Sequence, residues 1–291
     1  EDRIDAGDYK AFDKRMNSQM IMEAFRVLRR ICENSSAFHK DCLKQIDGIA
    51  TDTAFPLLNY FGDLIQFAGS NPSGHPLTTI VNSIANSIYM RLAYKDLNPN
   101  HEVKSFRDNV HLFTYGDDNI MGVSPAAPWF NHTSIQSFLA DKDITYTMAE
   151  KEAESVPYIN ISEATFLKRR WRFDSDINDY LCPLDEDSIE RSVTVWVRSR
   201  NVSPQEQIVS VIDSAMGEYF FYGKEKFEQK REMFLDIIKK FELEPYINFR
   251  NVLLLSWEDY RDSWLNASGL SIPIDENEDD SETYIDLRQK W

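Results

Sequence analysis

Asp117 and Asp118 are adjacent, and the strand-like runs His111–Thr114 and Asn119–Val123 flank them, with Tyr115-Gly116 completing a tight turn. Asp8 closes a third strand-like run, Arg3–Asp8. Neighbouring carboxylates repel by ~1 kcal/mol at 4 Å in water and by ~4 kcal/mol in a protein-like dielectric. A divalent cation removes that cost. All-oxygen ligands select Mg2+ or Mn2+ over zinc. Two such ions roughly 4 Å apart can activate an attacking hydroxyl and stabilise a leaving phosphate. Gly-Asp-Asp alone is a common surface turn, and its weight comes from its companions.

The first companion is Asp8-Tyr-Lys-Ala-Phe-Asp13. It sets one carboxylate at a strand end and a second on the following turn, where Asp13 reads as a helix N-cap, a ligand contact, or both. The second is Ser73-Gly74-His75-Pro76-Leu77, a loop entering a helix that carries Thr78, Asn82 and Asn86 at four-residue spacing. By itself that pattern is a capped helix with a wet face. The third is Phe166-Leu167-Lys168-Arg169-Arg170, basic residues beside an apolar run; alone it is a solvated edge.

The positioning elements follow from periodicity. Met20, Ala24, Val27, Leu28 and Ile31 predict a helix over Asn17–Cys32. Residues 35–70 are mixed and end in the alternating stretch Leu64–Phe67. Gly69–Gly74 is a loop by composition, and a strong helix runs from about Leu77 to Tyr94. Ser134–Ala140 reads as helix, Ile144–Met148 as strand, and Ile161–Leu167 with Trp171–Asp174 as a hairpin. Ser188–Arg198, Ser203–Tyr222 and Lys224–Phe241 are helical, with Pro204 at a first turn. The change of character places a domain boundary near 175–185.

At 291 residues, 42% hydrophobic and 13% aromatic, the chain can bury a large core. Cys32, Cys42 and Cys182 show neither a disulfide framework nor a zinc signature. No apolar run approaches the ~18 residues of a membrane span. The net charge of −16 opposes nucleic-acid binding, although Asp275–Glu282 alone supplies six of those charges. The expectation is that most of any basic, nucleic-acid-gripping surface lies elsewhere. The polar start running at once into a strand predicts that the natural N-terminus lies upstream.

As an ordered set, the motifs over residues 3–170 resemble the five palm motifs of RNA-dependent RNA polymerases from picorna-like viruses. Asp8-x4-Asp13 is similar to the first, Ser73-Gly74…Thr78…Asn82 to the second, and Tyr115-Gly116-Asp117-Asp118 to the third. Ala149-Glu150-Lys151 is similar to the fourth and Phe166-Leu167-Lys168-Arg169 to the fifth. Val193–Tyr222, with Trp196-Val197-Arg198, resembles the thumb of the marine and insect subgroup.

The resemblance implies an α+β fold: a right-hand polymerase palm, its antiparallel sheet backed by helices, with a mostly helical thumb and most of the fingers missing. Residues 1–180 would be palm, with part of the fingers between about 35 and 72, and 181–291 thumb plus the acidic segment. Asp8, Asp117 and Asp118 would bind two Mg2+ ions, with Mn2+ as substitute. Asp13 and Asn82, helped by Ser73, Gly74 and Thr78, would bind the nucleotide and read its ribose 2′-hydroxyl. Lys151 would protonate the departing pyrophosphate, and Lys168 and Arg169 would hold the primer. Implied partners are template and primer RNA, nucleoside triphosphates, a fingers region of the same polyprotein and a protein primer. The implied location is a replication complex in the host cytoplasm. The missing fingers imply that this stretch alone is inactive. His75-Pro76-Leu77 departs from the smaller residues of picornaviruses and stiffens the loop. A reverse transcriptase would carry a bulky residue where Asp13 stands. A dead RNA-binding module would have lost carboxylates or Lys151.

Overall fold

A computed structural model describes residues 2–71, 73–150, 153–247 and 255–268. The chain divides into two compact units, Glu1–Phe173 with Tyr180–Asp185, and Asp174–Asp179 with Glu186–Trp291.

The first unit opens with β1 (Ile4–Tyr9), α1 (Phe12–Arg15), α2 (Ser18–Glu33) and α3 (Lys40–Ala54). Next come the hairpin β2 (Leu57–Tyr60) and β3 (Asp63–Gln66), then α4 (Thr78–Leu97) and α5 (Phe106–Asn109). The hairpin β4 (Val110–Tyr115) and β5 (Asp118–Val123) leads to α6 (His132–Ala140) and β6 (Tyr146–Met148). Strands β7 (Arg172–Asp174) and β8 (Asp179–Leu181) pair with each other.

The main sheet has the order β4-β5-β1-β6, and every pairing is antiparallel. Side chains alternate across it. Tyr9, Met121 and Val123 enter the large core shared with α2, α4 and α6. Ala6 and Ile120 point to the opposite face, where Ala164, Ile159, Phe166 and Trp171 cover them. Gly7 is obligatory in β1, because a Cβ there would overlap the Tyr146 ring.

Helix α4 crosses beneath the sheet. Val81, Asn82, Ala85, Asn86, Tyr89, Met90, Ala93 and Tyr94 are its buried residues, the spacing of one helical face. Helix α2 starts where the Asn17 side chain accepts the Met20 N–H. Its buried face is Met20, Ile21, Ala24 and Phe25, whereas Val27 and Ile31 are exposed, so the stripe expected from sequence is rotated.

Three further expectations change. Residues 40–54 form α3, unrecognised in the mixed stretch because only Ala50, Thr53 and Ala54 are buried. The expected hairpin of 161–167 with 171–174 is absent: β7 pairs instead with β8, across a turn containing Asn178 at φ 56°. The helix expected to reach Arg198 ends at Thr194, where the β-branched run Val193-Thr194-Val195 disfavours continuation.

The second unit contains α7 (Glu186–Thr194), α8 (Pro204–Phe220), α9 (Lys224–Lys240), a 3-10 turn at Glu244–Tyr246 and α10 (Trp257–Ser268). Ser203 and Glu206 close a capping box on α8, and Tyr219, Phe220, Phe227 and Trp257 are buried among these helices. The acidic stretch Asp275–Glu282 lies outside the described residues. Among the described residues, no helix is long and apolar enough to cross a membrane.

Candidate active site

The β1–β5 register runs from Ile4 against Gly122 to Gly7 against Asn119. Continued one step beyond that last pair, the register would bring Asp8 and Asp118 together. Ala6 and Ile120 share one face of the sheet, and two residues along each strand that face belongs to Asp8 and Asp118. Directly opposed side chains have Cβ atoms ~4.5–5.5 Å apart. Gly116 and Asp117 form the two-residue turn enclosed by the Tyr115–Asp118 pair. Gly116 takes φ 65° there, the left-handed value that the first central residue of such a hairpin turn needs.

All three carboxylates are half-buried. Asp8 Oδ1 accepts the Tyr9 backbone N–H at 2.8 Å. Burial first, then the charges of Tyr89, Asp5 and Asp117, hold the Tyr9 hydroxyl well above its usual pKa. Burial, then Asp5, Tyr9 and Asp8, outweigh the Asn119 hydrogen bond and do the same at Tyr146. Among the described residues no three His, Cys, Asp or Glu side chains form a ready-made metal cage. Mg2+ does not require one, since it keeps several waters and binds through one or two carboxylates plus substrate phosphates. The oxygen-only group of Asp8, Asp117 and Asp118 fits that mode of binding.

A polar layer under the turn fixes it to α4. Asn86, fully buried, donates from Nδ2 to the carbonyls of Gly116 (3.3 Å), Asp117 (2.8 Å) and Asp118 (3.2 Å). Its Oδ1 accepts from Tyr9 Oη at 3.2 Å and Asn119 Nδ2 at 3.4 Å. Tyr146 Oη donates to Asn119 Oδ1 at 2.8 Å. Ser83 Oγ accepts the Gly116 N–H at 2.8 Å, and Ser83 O accepts Thr114 Oγ1 at 3.1 Å.

The expected ribose-reading residues also come together. Ser73 Oγ donates to Asp13 Oδ2 at 2.9 Å. Asn71 N donates to Asp13 O at 2.9 Å, and Asn71 Nδ2 donates to Asn82 Oδ1 at 2.8 Å and Thr78 O at 3.3 Å. With its Oδ1 engaged, Asn82 has its amide N–H groups to offer. Asp13 stands inside α1, whose cap position is Ala11, so its capping role is not realised. Gly74 takes φ 91°, open to glycine alone at little cost.

Lys168 and Arg169 lie in a turn closed by Phe166–Arg169 backbone hydrogen bonds, next to the Phe166 that packs on the face bearing Asp8 and Asp118. Lys168 is exposed, and Arg169 Nη1 donates to Cys182 O at 2.9 Å. Lys151 lies outside the described residues. Sequence reasoning assigned no role to Asn71, and it read Asn86 as part of a wet face. It also passed over Asp5, buried under the sheet with no hydrogen-bond partner for either carboxylate oxygen among the described residues. Burial pushes the Asp5 pKa up to about 8. Nearby, buried His132 stacks on Tyr146 at 4.9 Å, and burial lowers its pKa.

The family model described as viral RNA-dependent RNA polymerase matches residues 1–236. The chain is 29% identical over 241 residues to the replicase polyprotein of Drosophila C virus (strain EB), covering 79% of the chain. It is 27% identical over 249 residues, 82% of the chain, to the replicase polyprotein of Cricket paralysis virus. The chain spans 14% of the length of each of these polyproteins. Its fold is similar to that of the Sicinivirus 3Dpol RNA dependent RNA polymerase, with TM-score 0.66 at 18% identity, over 93% of this chain and 52% of that one.

Proposed function

From the premise that this chain belongs to the viral RNA-dependent RNA polymerase family, we propose that it supplies the palm and thumb of an enzyme that copies an RNA template. The reaction is nucleotidyl transfer from a nucleoside triphosphate to a primer 3′-hydroxyl. The observation that supports this reading is the antiparallel β1–β5 register, whose last pair, Gly7 against Asn119, directly precedes Asp8 on one strand and follows Asp118 on the other, with Asp117 in the adjoining turn.

Asp8, Asp117 and Asp118 hold two divalent cations, Mg2+ or in its place Mn2+. When bound, these ions polarise the attacking hydroxyl and neutralise charge on the transferring phosphate. The chain's other groups bind and orient. Asp13 accepts from the ribose 2′-hydroxyl while Asn82 donates to it, and Ser73, Gly74 and Thr78 shape the loop that holds this pair. Lys151 gives a proton to the leaving pyrophosphate. Lys168 and Arg169 hold the primer strand near the carboxylate face.

A triphosphate brings about four negative charges, and phosphate is gripped by Arg and Lys forks. At a net charge of −16 that grip, and most template affinity, belong to a fingers region of the same polyprotein. The chain alone is therefore inactive in primer extension, and joining the fingers restores activity. Initiation from a protein primer and action in cytoplasmic replication complexes complete the reading.

The test is Asp117→Asn. In the polymerase carrying this chain, primer extension should fall at least about a thousandfold, the loss of about 4 kcal/mol of transition-state stabilisation. Thermal stability should hold or rise, because the exchange relieves carboxylate repulsion. Near-normal turnover with Mg2+ would reject the assignment.

A further inference from the structure

The three carboxylates sit on two pieces of backbone with no covalent tie near the site. Asp8 belongs to β1, Asp117 to the β4–β5 turn and Asp118 to the first position of β5. A two-metal site requires these pieces to keep a fixed separation. Ladder hydrogen bonds hold β1 to β5 only as far as Gly7 and Asn119. Beyond that point the turn carries its own carbonyls, which at a hairpin tip ordinarily face water.

Here they do not. The carbonyls of Gly116, Asp117 and Asp118 all converge on the Asn86 carboxamide, at 3.3, 2.8 and 3.2 Å. A carboxamide has two N–H groups, which the three carbonyls share. The acceptor end of the same side chain takes the hydroxyl of Tyr9 at 3.2 Å. Tyr9 in turn donates its backbone N–H to Asp8 Oδ1 at 2.8 Å. A continuous path, Asp8 to Tyr9 to Asn86 to the Asp117–Asp118 backbone, thus joins the two halves of the site through the side chains of Tyr9 and Asn86. Ser83, one turn earlier on α4, secures the Gly116 N–H at 2.8 Å. Helix α4 therefore holds both a donor and an acceptor of the turn. No other residue type of this size offers both a forked donor and an acceptor here. Aspartate and leucine both lack the donors.

We infer that Asn86 is a positioning residue that sets the spacing of Asp117 and Asp118 against Asp8, and so sets divalent-cation affinity. The inference rests on the carboxylates being the metal site. Asn86 touches neither substrate nor metal; it acts through the backbone that carries the ligands, as residues behind metal ligands do.

The experiment measures Mn2+ binding by electron spin resonance of free Mn2+, together with thermal unfolding, on the wild-type chain and on Asn86→Ala, Asn86→Asp, Met90→Ala and Asp117→Asn. Met90 is fully buried one turn along α4 and serves as the stability control. Losing support behind a metal ligand weakens binding about 10- to 100-fold. Asn86→Ala and Asn86→Asp should both show a loss of at least about tenfold. Met90→Ala, at equal or larger loss of melting temperature, should bind as wild type. In the polymerase carrying the chain, kcat should fall with Asn86→Asp while the KM for nucleotide at saturating Mn2+ changes less than about twofold. Should Asn86→Ala not fold, the near-isosteric Asn86→Asp decides. Wild-type Mn2+ affinity in the Asn86 variants, or an equal loss in Met90→Ala, overturns the inference. If Asp117→Asn also binds Mn2+ normally, the metal-site reading fails first, and the Asn86 role falls with it.

Discussion

Replacing Asp5 by asparagine should change how stability depends on pH. Asp5 is 1% exposed, and neither carboxylate oxygen has a hydrogen-bond partner among the described residues. Its charge is felt by Tyr9, Tyr146 and Tyr158, none of which neutralises it. Burial pushes its pKa from 3.8 to about 8. The folded state therefore keeps the Asp5 proton between about pH 4 and pH 8, while the unfolded chain releases it. The stability from this group is complete below pH 4, falls through that window by about 1.4 kcal/mol per pH unit, and is flat above pH 8. At pH 7 the cost reaches about 4 kcal/mol. A carboxamide at this position cannot ionise, so Asp5→Asn should gain on the wild type by about 3–4 kcal/mol between pH 5 and pH 8. Urea unfolding of both proteins at half-unit steps measures this directly. Carboxylates held below their usual range, such as Glu186 by Lys230, tilt both curves alike and cancel in the difference. Parallel curves across the window would refute the reasoning, because Asp5 would then be ionised in the fold and satisfied by some group.

In the polymerase carrying the chain, Asn82→Ala should weaken ribonucleotide use more than deoxyribonucleotide use, by about tenfold in the ratio of kcat/KM, because the donor removed is the one proposed to serve the 2′-hydroxyl. Equal losses for both sugars would make Asn82 purely structural. Gly7→Ala should cost about 3 kcal/mol in urea unfolding, since its Cβ meets a Tyr146 ring that is held by His132 and Asn119. Adding Tyr146→Leu should recover part of that loss, and no recovery would place the strain elsewhere.

What was legible in sequence shares a physical character. Strands β4 and β5 are short runs rich in apolar residues on either side of a turn, and α4 is a long run without glycine or proline. Gly116 marked the turn because only a left-handed φ closes it there. The illegible parts fail for identifiable reasons. Helix α3 buries little more than alanine and threonine and includes Gly48, so it shows no stripe. Residues 161–167 look like a strand because they are apolar, yet Ile161 and Phe166 cover the sheet's second face rather than joining a ladder. Asn86 was misjudged because a polar residue in helical register reads as solvent-facing. It is buried because the carbonyls it satisfies come from a turn about thirty residues away in sequence. Similarly, Asn71 lies in a loop, and only the fold brings it to Asn82.

The pairing of β1 with β5 carries a kinetic consequence. The β4–β5 hairpin closes over two residues and can form in microseconds. Strand β1 must find β5 across about 110 residues of chain, which adds roughly 3–4 kcal/mol of closure entropy to that encounter. The two halves of the site therefore meet late, after the local elements exist. A nascent chain spends its early life with the β5 edge unpaired and available to other strands. Capacity to bind a divalent ion should appear with the last folding phase and not with the secondary structure. On the proposed metal site, Mn2+ binding would report native topology and not secondary structure alone.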